Sequence, residues 1–313
     1  MTLPKRKVSN LLLTKHLKMK LLVFYNDYAA NGRARKQKES ALDLLKSAGH
    51  EVTLILTLGG DKTTQTVSKI DLEGFEGILA AGGDGTIMQV ANGYLQNTSK
   101  NKPPLGILPI GTGNAFIRDL GFQTGQIKEV IESLDAKKTK WVDAGLANNG
   151  GDPFYFFNIL GVGFVSDVTL TAMKFKFLGN FAYTIGIFYR ALFLQTEPTI
   201  LEVDGQIFEF DALFVEVSNT QYTANFFMAP TASFEDGLLD VTVLKKMNTF
   251  KLMKSFPKIL TGEHIHLPEV FTIQGKDIKI STKKHKAITP DGELKGKTPV
   301  HITVQSKAIE VFA

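Results

Sequence analysis

A glycine-rich turn between an apolar segment and a helix-like segment limits what this chain can fold into. The turn, Gly82-Gly83-Asp84-Gly85-Thr86, follows residues 75–79, which predict a short buried strand, and precedes residues 87–95, which predict a helix. Glycines let backbone N–H groups approach an anion, and a helix N-terminus adds about half a positive charge. Asp84 alone would repel phosphate, so the turn suits phosphate together with Mg2+. A tight turn with a helix-capping threonine is the alternative.

A second turn of the same kind follows, and two such units predict one shared sheet edge. Residues 104–110 predict another apolar strand, which runs into Gly111-Thr112-Gly113-Asn114. Alternating strands and helices build a parallel sheet, and loops at its carboxyl edge bind nucleotides. The sequence therefore predicts a doubly wound α/β nucleotide-binding domain. Neither turn completes the dinucleotide fingerprint, and Gly296-Lys297-Thr298 lacks the earlier glycine of a P-loop.

The amino-acid composition excludes several kinds of chemical site and favours certain classes of binding partner. The 313 residues exceed one typical core, so two domains are expected. The chain has no cysteine, which excludes disulfides, thiolate metal sites and cysteine nucleophiles and suits the cytoplasm. A net charge of +5 favours anionic partners such as nucleotides or acidic lipid surfaces. Basic residues are scattered, so we do not expect a nucleic-acid partner.

The chain is expected to divide into a basic extension, 1–18, and two domains, 19–143 and 144–313. Packing of the extreme C-terminus against the first domain is an open alternative. Lys20 begins the first predicted strand, and Gly49 ends the first predicted helix. Besides the two glycine-turn units, the predicted elements of the first domain are strands at 20–26 and 51–58 and helices at 33–48 and 126–137.

From Gly145 onward, short β segments separated by turns predict a mostly antiparallel domain, a β-sandwich. Asp204-Gly205 predicts a hairpin turn. The predicted strands are 199–204, 206–210, 212–219, 238–244, 269–273 and 277–282. The apolar stretch 173–194 has an uncharged run too short to span a bilayer, so it predicts a helix packed on the sandwich. Contact with anionic lipid is the alternative for this stretch.

Six short motifs occur along the chain in an order that one protein family shares. They are Gly82-Gly83-Asp84-Gly85-Thr86 with Asn92-Gly93, Pro109-Ile110-Gly111-Thr112-Gly113-Asn114, Asp143-Ala144-Gly145, Gly161-Val162-Gly163-Phe164 with Asp167, Asp236-Gly237-Leu238-Leu239-Asp240, and Asp291-Gly292-Glu293. On these motifs the chain resembles the diacylglycerol kinase catalytic-domain superfamily, which includes bacterial lipid kinases, sphingosine kinases and ceramide kinases. The resemblance covers nearly everything from Met19 to the end, and it implies the same two-domain fold.

The resemblance implies that ATP lies across both glycine turns. Further contacts are implied at the ends of the first two strands and in the last motif, although Asp27 stands where the family has a proline. The implied nucleotide-binding residues are Asn26, Thr57, Gly82, Gly83, Gly85, Thr86, Gly111, Thr112, Asn114 and Glu293. For Thr57, a loop before a capped helix is the alternative.

The resemblance assigns the chemistry to carboxylates. Asp291 is implied as the base that accepts the proton of a lipid hydroxyl, and Asp84 and Asp143 are implied as organisers of the catalytic Mg2+. Asp84 is the rival base, because sphingosine kinases have been given a base in this turn. Ala115 stands where the family's metal network has a third aspartate, so the metal geometry and the lipid stay open.

A second, structural Mg2+ is implied at Asp236 with main-chain oxygens near Ser233 and Leu238, for which a simple turn is the alternative. The expected protein is an ATP- and Mg2+-dependent kinase for a diacylglycerol-like or sphingoid hydroxyl, cytoplasmic and peripherally attached to the membrane, with a homodimer left open. An NAD kinase, which shares Gly-Gly-Asp-Gly, and a non-catalytic nucleotide- or lipid-binding module are the alternatives. The ending Asp291-Gly292-Glu293 argues against an NAD kinase. Ala115, which replaces an aspartate of the family's metal network, is the reason for retaining the non-catalytic binding module as an alternative.

Overall fold

A computed structural model describes residues 18–112, 114–174, 185–186, 189–190, 194–223 and 226–313. Nearly all of the basic extension and most of the apolar stretch 173–194 lie outside the described residues, as does Gly113 of the second glycine turn. The expectations for these segments therefore stay predictions.

Four parallel strands form the sheet of the first half. They are β1, Lys20–Tyr25; β2, Glu51–Leu56; β3, Gly77–Gly82; and β4, Leu105–Pro109. Their order is β2-β1-β3-β4. β3 and β4 are buried along their whole length, as expected for a parallel sheet covered on both faces. The strand order reverses between β1 and β3, and such sheets bind ligands next to this switch point.

Helices cover both faces of this sheet. They are α1, Arg33–Ser47; α2, Asp61–Lys69; α3, Asp84–Gln96; α4, Ala115–Asp119; and α5, Ile127–Asp135, with a 3-10 turn at Ala29–Gly32. α2 packs on α3 and α1 contacts α5, and right-handed crossovers put the two pairs on opposite faces. The predicted doubly wound arrangement is therefore confirmed. α1 is followed, as predicted, by Gly49 in the left-handed region.

Helix α3 begins at Asp84, earlier than the predicted segment 87–95. β3 continues through Gly82, and Gly83 caps the helix with an extended backbone at φ −102°. Asp84 is thus in the first turn of α3, where a negative charge interacts favourably with the helix dipole. The glycine turn is shorter than the sequence pattern indicates, and its aspartate belongs to the helix.

Gly93 lets α3 lie directly against α2. A Cβ at this position would fall 2.5 Å from both the carbonyl oxygen of Thr64 and the Cβ of Val67. Because both atoms belong to a packed helix, we expect Gly93→Ala to lower the free energy of unfolding by about 1–3 kcal/mol in urea denaturation. Gly151→Ala is the control, since a Cβ there would meet only the side chain of Asn149, at 3.7 Å. Equal stability of the two variants would contradict this packing.

The second half of the chain is mostly antiparallel β-structure. Its strands are β5, Thr139–Asn148; β6, Phe154–Phe156; β7, Ile159–Gly163; β8, Glu197–Val203; β9, Gln206–Ser218; β10, Tyr222–Thr223; β11, Phe226–Phe227; β12, Leu239–Lys245; β13, Val270–Gly275; β14, Asp277–Thr282; β15, Ile288–Pro290; and β16, Val300–Phe312. Its described helices include α6, Phe164–Lys174, and α7, Thr249–Ser255, with 3-10 turns at Phe256–Leu260 and Glu263–His266. Across the described ranges, no helix is both long and apolar enough to cross a membrane.

The larger apolar core of this half lies between its strands. The path β13-β12-β9-β8-β14-β16 runs along it, with β7 pairing β9 and β15; β13 contributes partly buried side chains, and the other strands contribute buried ones. The predicted antiparallel sandwich is confirmed. The segments 206–210 and 212–219, predicted as two strands, form the single strand β9, because Asp211 between them pairs with Pro198 and continues the ladder. The hairpin at Asp204-Gly205 is confirmed, with left-handed φ values of +48° and +83°.

The C-terminal strand joins the two halves. β16 pairs with β14 and β5, and its Val311 pairs in parallel with Leu105 of β4. Phe312 is buried in the core of the first sheet. β5 runs across residue 143, where the boundary between the domains is predicted. The sheet is thus continuous from one half to the other, and the domain bounds stay a prediction.

Candidate active site

The two glycine turns touch each other at the carboxyl ends of β3 and β4. The backbone N–H of Gly111 donates to the carbonyl oxygen of Gly82 over 3.0 Å. A Cβ at Gly111 would lie 2.3 Å from the Cα of Gly83, so any larger residue would push the turns apart. The two predicted phosphate-binding turns therefore form one continuous backbone surface beside the switch point.

Asn26 ties the end of β1 to the first turn. Its Nδ2 donates to Oγ1 of the buried Thr86 over 2.8 Å, and its backbone N–H donates to the carbonyl of Ala81 over 2.9 Å. Thr57 lies farther out, at the end of β2, where its N–H donates to the carbonyl of Tyr25. The structure thus brings Asn26 and Thr86 together at the switch point and leaves Thr57 at the neighbouring strand end.

Asn114 fixes the second turn. It has a left-handed φ of +42°, and its Nδ2 donates to the carbonyl of Gly111 and to Oγ1 of Thr124, both over 3.1 Å. Its Oδ1 is buried and has no hydrogen-bond partner within the described part of the chain. Thr112 is exposed. Asn114 is fully buried, so its side chain positions the second turn from inside the protein.

Asp84 lies where two helices begin. It is in the first turn of α3, and its carboxylate accepts from the N–H groups of Ala115 (3.0 Å) and Phe116 (3.3 Å) at the start of α4. Removal from water raises the pKa of Asp84, while these bonds, the side chain of Asn158 and the charge of Arg118 lower it. The carboxylate is therefore fixed beside the second glycine turn, in a residue that is half-buried.

Asp291 is held by a row of three backbone N–H groups. The donors are Phe157 (2.9 Å), Asn158 (2.8 Å) and Ile159 (3.0 Å). Asp291 and Gly292 both have left-handed φ, +46° and +82°, so an Asp-Gly turn is present and carries this carboxylate. Burial raises the pKa of Asp291 to about 7; the N–H groups lower it, and the charge of Asp84 raises it. The two carboxylates of the predicted chemistry therefore lie close together.

Asn158 joins the two carboxylates, and sequence reasoning missed it. Its backbone N–H donates to Asp291, and its side chain hydrogen-bonds to Asp84. Asn158 is buried, and its Oδ1 accepts from Oγ1 of Thr220 over 3.3 Å. Its position before β7 carries no glycine or acidic motif that could have marked it.

Glu293 lies beside the start of α3. Its Oε1 accepts from Nε2 of Gln89 over 2.8 Å, and a Cβ at Gly85 would fall 3.0 Å from the same oxygen. Sequence reasoning missed Gln89, although it is one helical turn after Gly85 and so on the same face. The last motif therefore meets the first glycine turn, although Gln89 and Glu293 are 204 positions apart in the sequence.

Asp143 faces another part of the molecule. It is buried, and its carboxylate oxygens accept from the N–H groups of Gly237 (2.7 Å) and Lys307 (2.6 Å). Its carbonyl accepts from Nδ2 of Asn219, which also donates to the carbonyl of Phe157. Asp143 is thus linked through Asn219 to the segment that holds Asp291, and its part in a metal network stays a prediction.

The loop predicted to hold a structural metal is an exposed turn. Oδ1 of Asp236 accepts from the N–H of Leu238 over 2.9 Å, and Oγ of Ser233 accepts from the N–H of Glu235 over 3.3 Å. These contacts fit the simple turn named as the alternative, and the structural Mg2+ stays a prediction. In the described part of the chain, no group of three or more His, Cys, Asp or Glu side chains is arranged to hold a metal ion.

An apolar cavity lies between β9 and the helices α6 and α7. Its volume is about 100 Å³, and nearly all of its lining is apolar, from side chains such as Phe164, Phe214 and Leu252. The polar residues in the lining are Glu216, Thr223, Ser255 and His264. A hydrocarbon group is the ligand chemistry that such a lining suits.

Each half of the chain matches a known protein-family model. Residues 20–147 match the family model of the diacylglycerol kinase catalytic domain, and residues 158–313 match the YegS C-terminal NAD kinase beta sandwich-like domain. A diacylglycerol kinase of Staphylococcus aureus (strain bovine RF122 / ET3-1) is 30% identical over 294 residues, which cover 93% of this chain and 91% of the relative. A diacylglycerol kinase of Bacillus subtilis (strain 168) is 29% identical over 280 residues, which cover 88% of this chain and 90% of the relative.

Solved structures agree with these sequence matches. The crystal structure of a diacylglycerol kinase from Bacillus anthracis str. Sterne has a TM-score of 0.76 and 26% identity, and the match covers 94% of this chain and 96% of that one. The family predicted from the six motifs is therefore confirmed. The chain belongs to the diacylglycerol kinase family of phosphotransferases, which act on an alcohol group as acceptor.

Proposed function

We propose that this chain is a lipid kinase that transfers the γ-phosphoryl group of ATP to a lipid hydroxyl with Mg2+ as cofactor. The observation that carries the proposal is the pair Asp84 and Asp291 beside the two glycine turns. Phosphoryl transfer needs mainly positioning and charge neutralisation, together with one carboxylate that orients the attacking hydroxyl. The names of the relatives support diacylglycerol as the first substrate to test.

Asp291 is the base in this proposal. A pKa of about 7 lets its carboxylate accept a proton near neutral pH, as a general base requires. As the hydroxyl oxygen forms its bond to the γ-phosphorus, the hydroxyl proton passes to Asp291 and the bond to the β,γ-bridging oxygen breaks, leaving ADP. The N–H groups of Phe157, Asn158 and Ile159 hold the carboxylate in one orientation during this step.

The residues fit a magnesium ion that the nucleotide completes. Mg2+ is commonly held by one or two carboxylates plus phosphate oxygens. The carboxylate oxygens of Asp84 accept backbone N–H groups and keep further acceptor capacity, so Asp84 would hold the ion beside Glu293. When bound, the ion supplies neutralisation of the phosphate charge. Asp143 would take part through water, because its carboxylate lies among the N–H groups of Gly237 and Lys307 and not beside the glycine turns.

The lipid would enter from a membrane surface at α7 and the turns that follow it. Phe250 and Leu260 are 80% and 57% exposed, and Lys254 and Lys258 are exposed on the same segment. Apolar side chains flanked by lysines bind anionic membrane surfaces. The same segment lines the apolar cavity through Met253, so a lipid could pass from the bilayer into the protein along it.

Phe250→Asp is expected to weaken binding to phosphatidylglycerol vesicles by about tenfold or more, because burying an aromatic side chain contributes about 1.5–3 kcal/mol. Co-sedimentation with the vesicles measures this affinity. Ile207→Asp is the matched control, since Ile207 is 66% exposed on the β8–β9 hairpin. A similar affinity for both variants would contradict a membrane contact at α7.

The proposed activity is tested with a panel of acceptors. Purified protein is incubated with γ-labelled ATP, Mg2+ and, one at a time, diacylglycerol, monoacylglycerol, sphingosine, ceramide, phosphatidylglycerol or NAD. The expected result is label in at least one lipid and none in NAD. Label in NAD alone would make the chain an NAD kinase, and ATP binding without any product would make it a binding module.

A further inference from the structure

A buried carboxylate faces the apolar cavity with one oxygen unpaired. Glu216, on β9, is 1% exposed, and it is the one acidic side chain among the described residues of the lining. Its Oε1 accepts from Oγ1 of Thr223 over 2.9 Å and from Oγ of Ser218 over 3.4 Å. Its Oε2 has no hydrogen-bond partner in the described ranges. An acceptor in a dry cavity stays unsatisfied until a ligand supplies a donor.

The protein supplies no counter-ion for this carboxylate from within the cavity. The described lining contains neither Lys nor Arg. His264 hydrogen-bonds through Nε2 to the carbonyl of Met228 over 3.0 Å, and burial lowers the pKa of His264. Burial raises the pKa of Glu216 to about 7, and the bonds from Thr223 and Ser218 lower it. When charged, this carboxyl accepts through Oε2 from a donor on a ligand; when protonated at Oε2 it donates instead, and a ligand hydroxyl can pair with either form.

Glu216 lies on a strand two places away from β15, which leads into Asp291. It pairs with Gly161 of β7, and Gly161 pairs with Thr289 of β15, two residues before Asp291. Two strand spacings amount to about 10 Å. A ligand group that reaches Glu216 is therefore several bonds away from a hydroxyl at Asp291, within the hydrocarbon part of a lipid.

We propose that Glu216 is a specificity-determining residue that recognises a hydroxyl carried along the acyl chain of the lipid. The inference rests on the proposed function, because it takes the lipid in the cavity to be the kinase substrate. A plain chain leaves Oε2 unpaired, whereas a chain hydroxyl donates to it, and sites built on such pairing reject the ligand without the donor. The amino group of a sphingoid base stands next to the reacting hydroxyl, too close to it to reach Glu216.

The test compares two diacylglycerols that differ in the chain hydroxyl alone, one with 5-hydroxystearoyl chains and one with stearoyl chains. The hydroxyl on the fifth acyl carbon lies several bonds from the reacting oxygen, as the position of Glu216 requires. Radiolabelled forms of both lipids are bound from detergent micelles without nucleotide, and wild-type protein is expected to bind the hydroxylated lipid at least about tenfold more tightly. Glu216→Gln keeps an acceptor oxygen and should retain the preference, whereas Glu216→Leu should reverse it. Leu252→Val, which alters the apolar lining, should weaken both lipids equally.

Equal affinity of wild-type protein for the two lipids, or a preference that survives Glu216→Leu, would overturn the proposal. Thermal denaturation of each variant establishes that it is folded, and if Glu216→Leu is not, the comparison of the two lipids on wild-type protein decides the question. Since binding is measured without nucleotide, a preference without phosphoryl transfer would support this role of Glu216 and overturn the proposed function. Phosphoryl transfer to a lipid without a preference for the chain hydroxyl would support the proposed function and overturn this role of Glu216.

Discussion

Asp291→Asn is expected to lower kcat for phosphoryl transfer to a lipid hydroxyl by about 10²–10⁴-fold, the usual contribution of a general base. The amide would still accept hydrogen bonds from part of the N–H row at Phe157 to Ile159, but it could not take up the proton of the hydroxyl. Affinity for ATP is expected to stay close to that of wild type, because both glycine turns are unchanged. Steady-state assays and calorimetry measure the two quantities.

Asp204→Asn is the matched control for this variant. Asp204 begins an Asp-Gly turn with the same left-handed φ values, and its carboxylate also accepts backbone N–H groups, from Lys276 and Asp277. The two substitutions therefore make the same chemical change in the same kind of turn. A loss of kcat in both variants would show that turn geometry, and not the base, is responsible.

The pH dependence of wild-type protein gives an independent view of the base. Burial and the charge of Asp84 raise the pKa of Asp291 to about 7, and a base is active when it is deprotonated. We therefore expect kcat/KM to rise with pH up to about 7 and to level off above it. The residual activity of Asp291→Asn should lack this step. A midpoint near 4, the usual value for an aspartate, would contradict the assignment.

Asp84→Asn is expected to lower kcat/KM by about 10²-fold or more, because it removes the carboxylate proposed to hold the nucleotide's Mg2+. The same substitution should also change the pH dependence of the reaction. The charge of Asp84 raises the pKa of Asp291, so its removal should move the midpoint of the remaining pH profile to lower pH. A pH profile of the variant measures both effects.

Glu129→Gln is the control for the charge at a helix start. Glu129 lies in the first turn of α5, as Asp84 does in α3, and it is not part of the site. Its substitution should leave kcat/KM and the midpoint unchanged. If Asp84→Asn lowered the rate without moving the midpoint, the two carboxylates would not interact, and Asp84 would not belong to the reacting centre.

Local patterns were sufficient to predict the parts of the site that a few neighbouring residues determine. The contact of Gly111 with Gly83 depends on the absence of a Cβ, and the Asp291-Gly292 turn depends on left-handed φ values. Both properties belong to single residue types and can be recognised in a sequence. The alternation of strands and helices predicted the doubly wound sheet for the same reason, because hydrophobic periodicity is local.

Contacts between distant segments could not be predicted in this way. The N–H groups of residues 157–159 meet Asp291 across 132 to 134 residues, and a backbone N–H looks the same at every position. Asn158 and Gln89 were missed because their partners come from the far end of the chain. Asp143 shows the same problem, since the loops of Gly237 and Lys307 that bind its carboxylate approach it only in the folded protein.

The role of Asp291 in a lipid kinase is tested most directly by mass spectrometry of a total lipid extract incubated with ATP, Mg2+ and either wild-type protein or Asp291→Asn. ATP binding by both proteins is measured in parallel. The expected result is a lipid that gains one phosphate with wild-type protein and not with Asp291→Asn, at similar ATP affinity. Wild-type protein that binds ATP and phosphorylates no lipid, or Asp291→Asn with undiminished product, would contradict it.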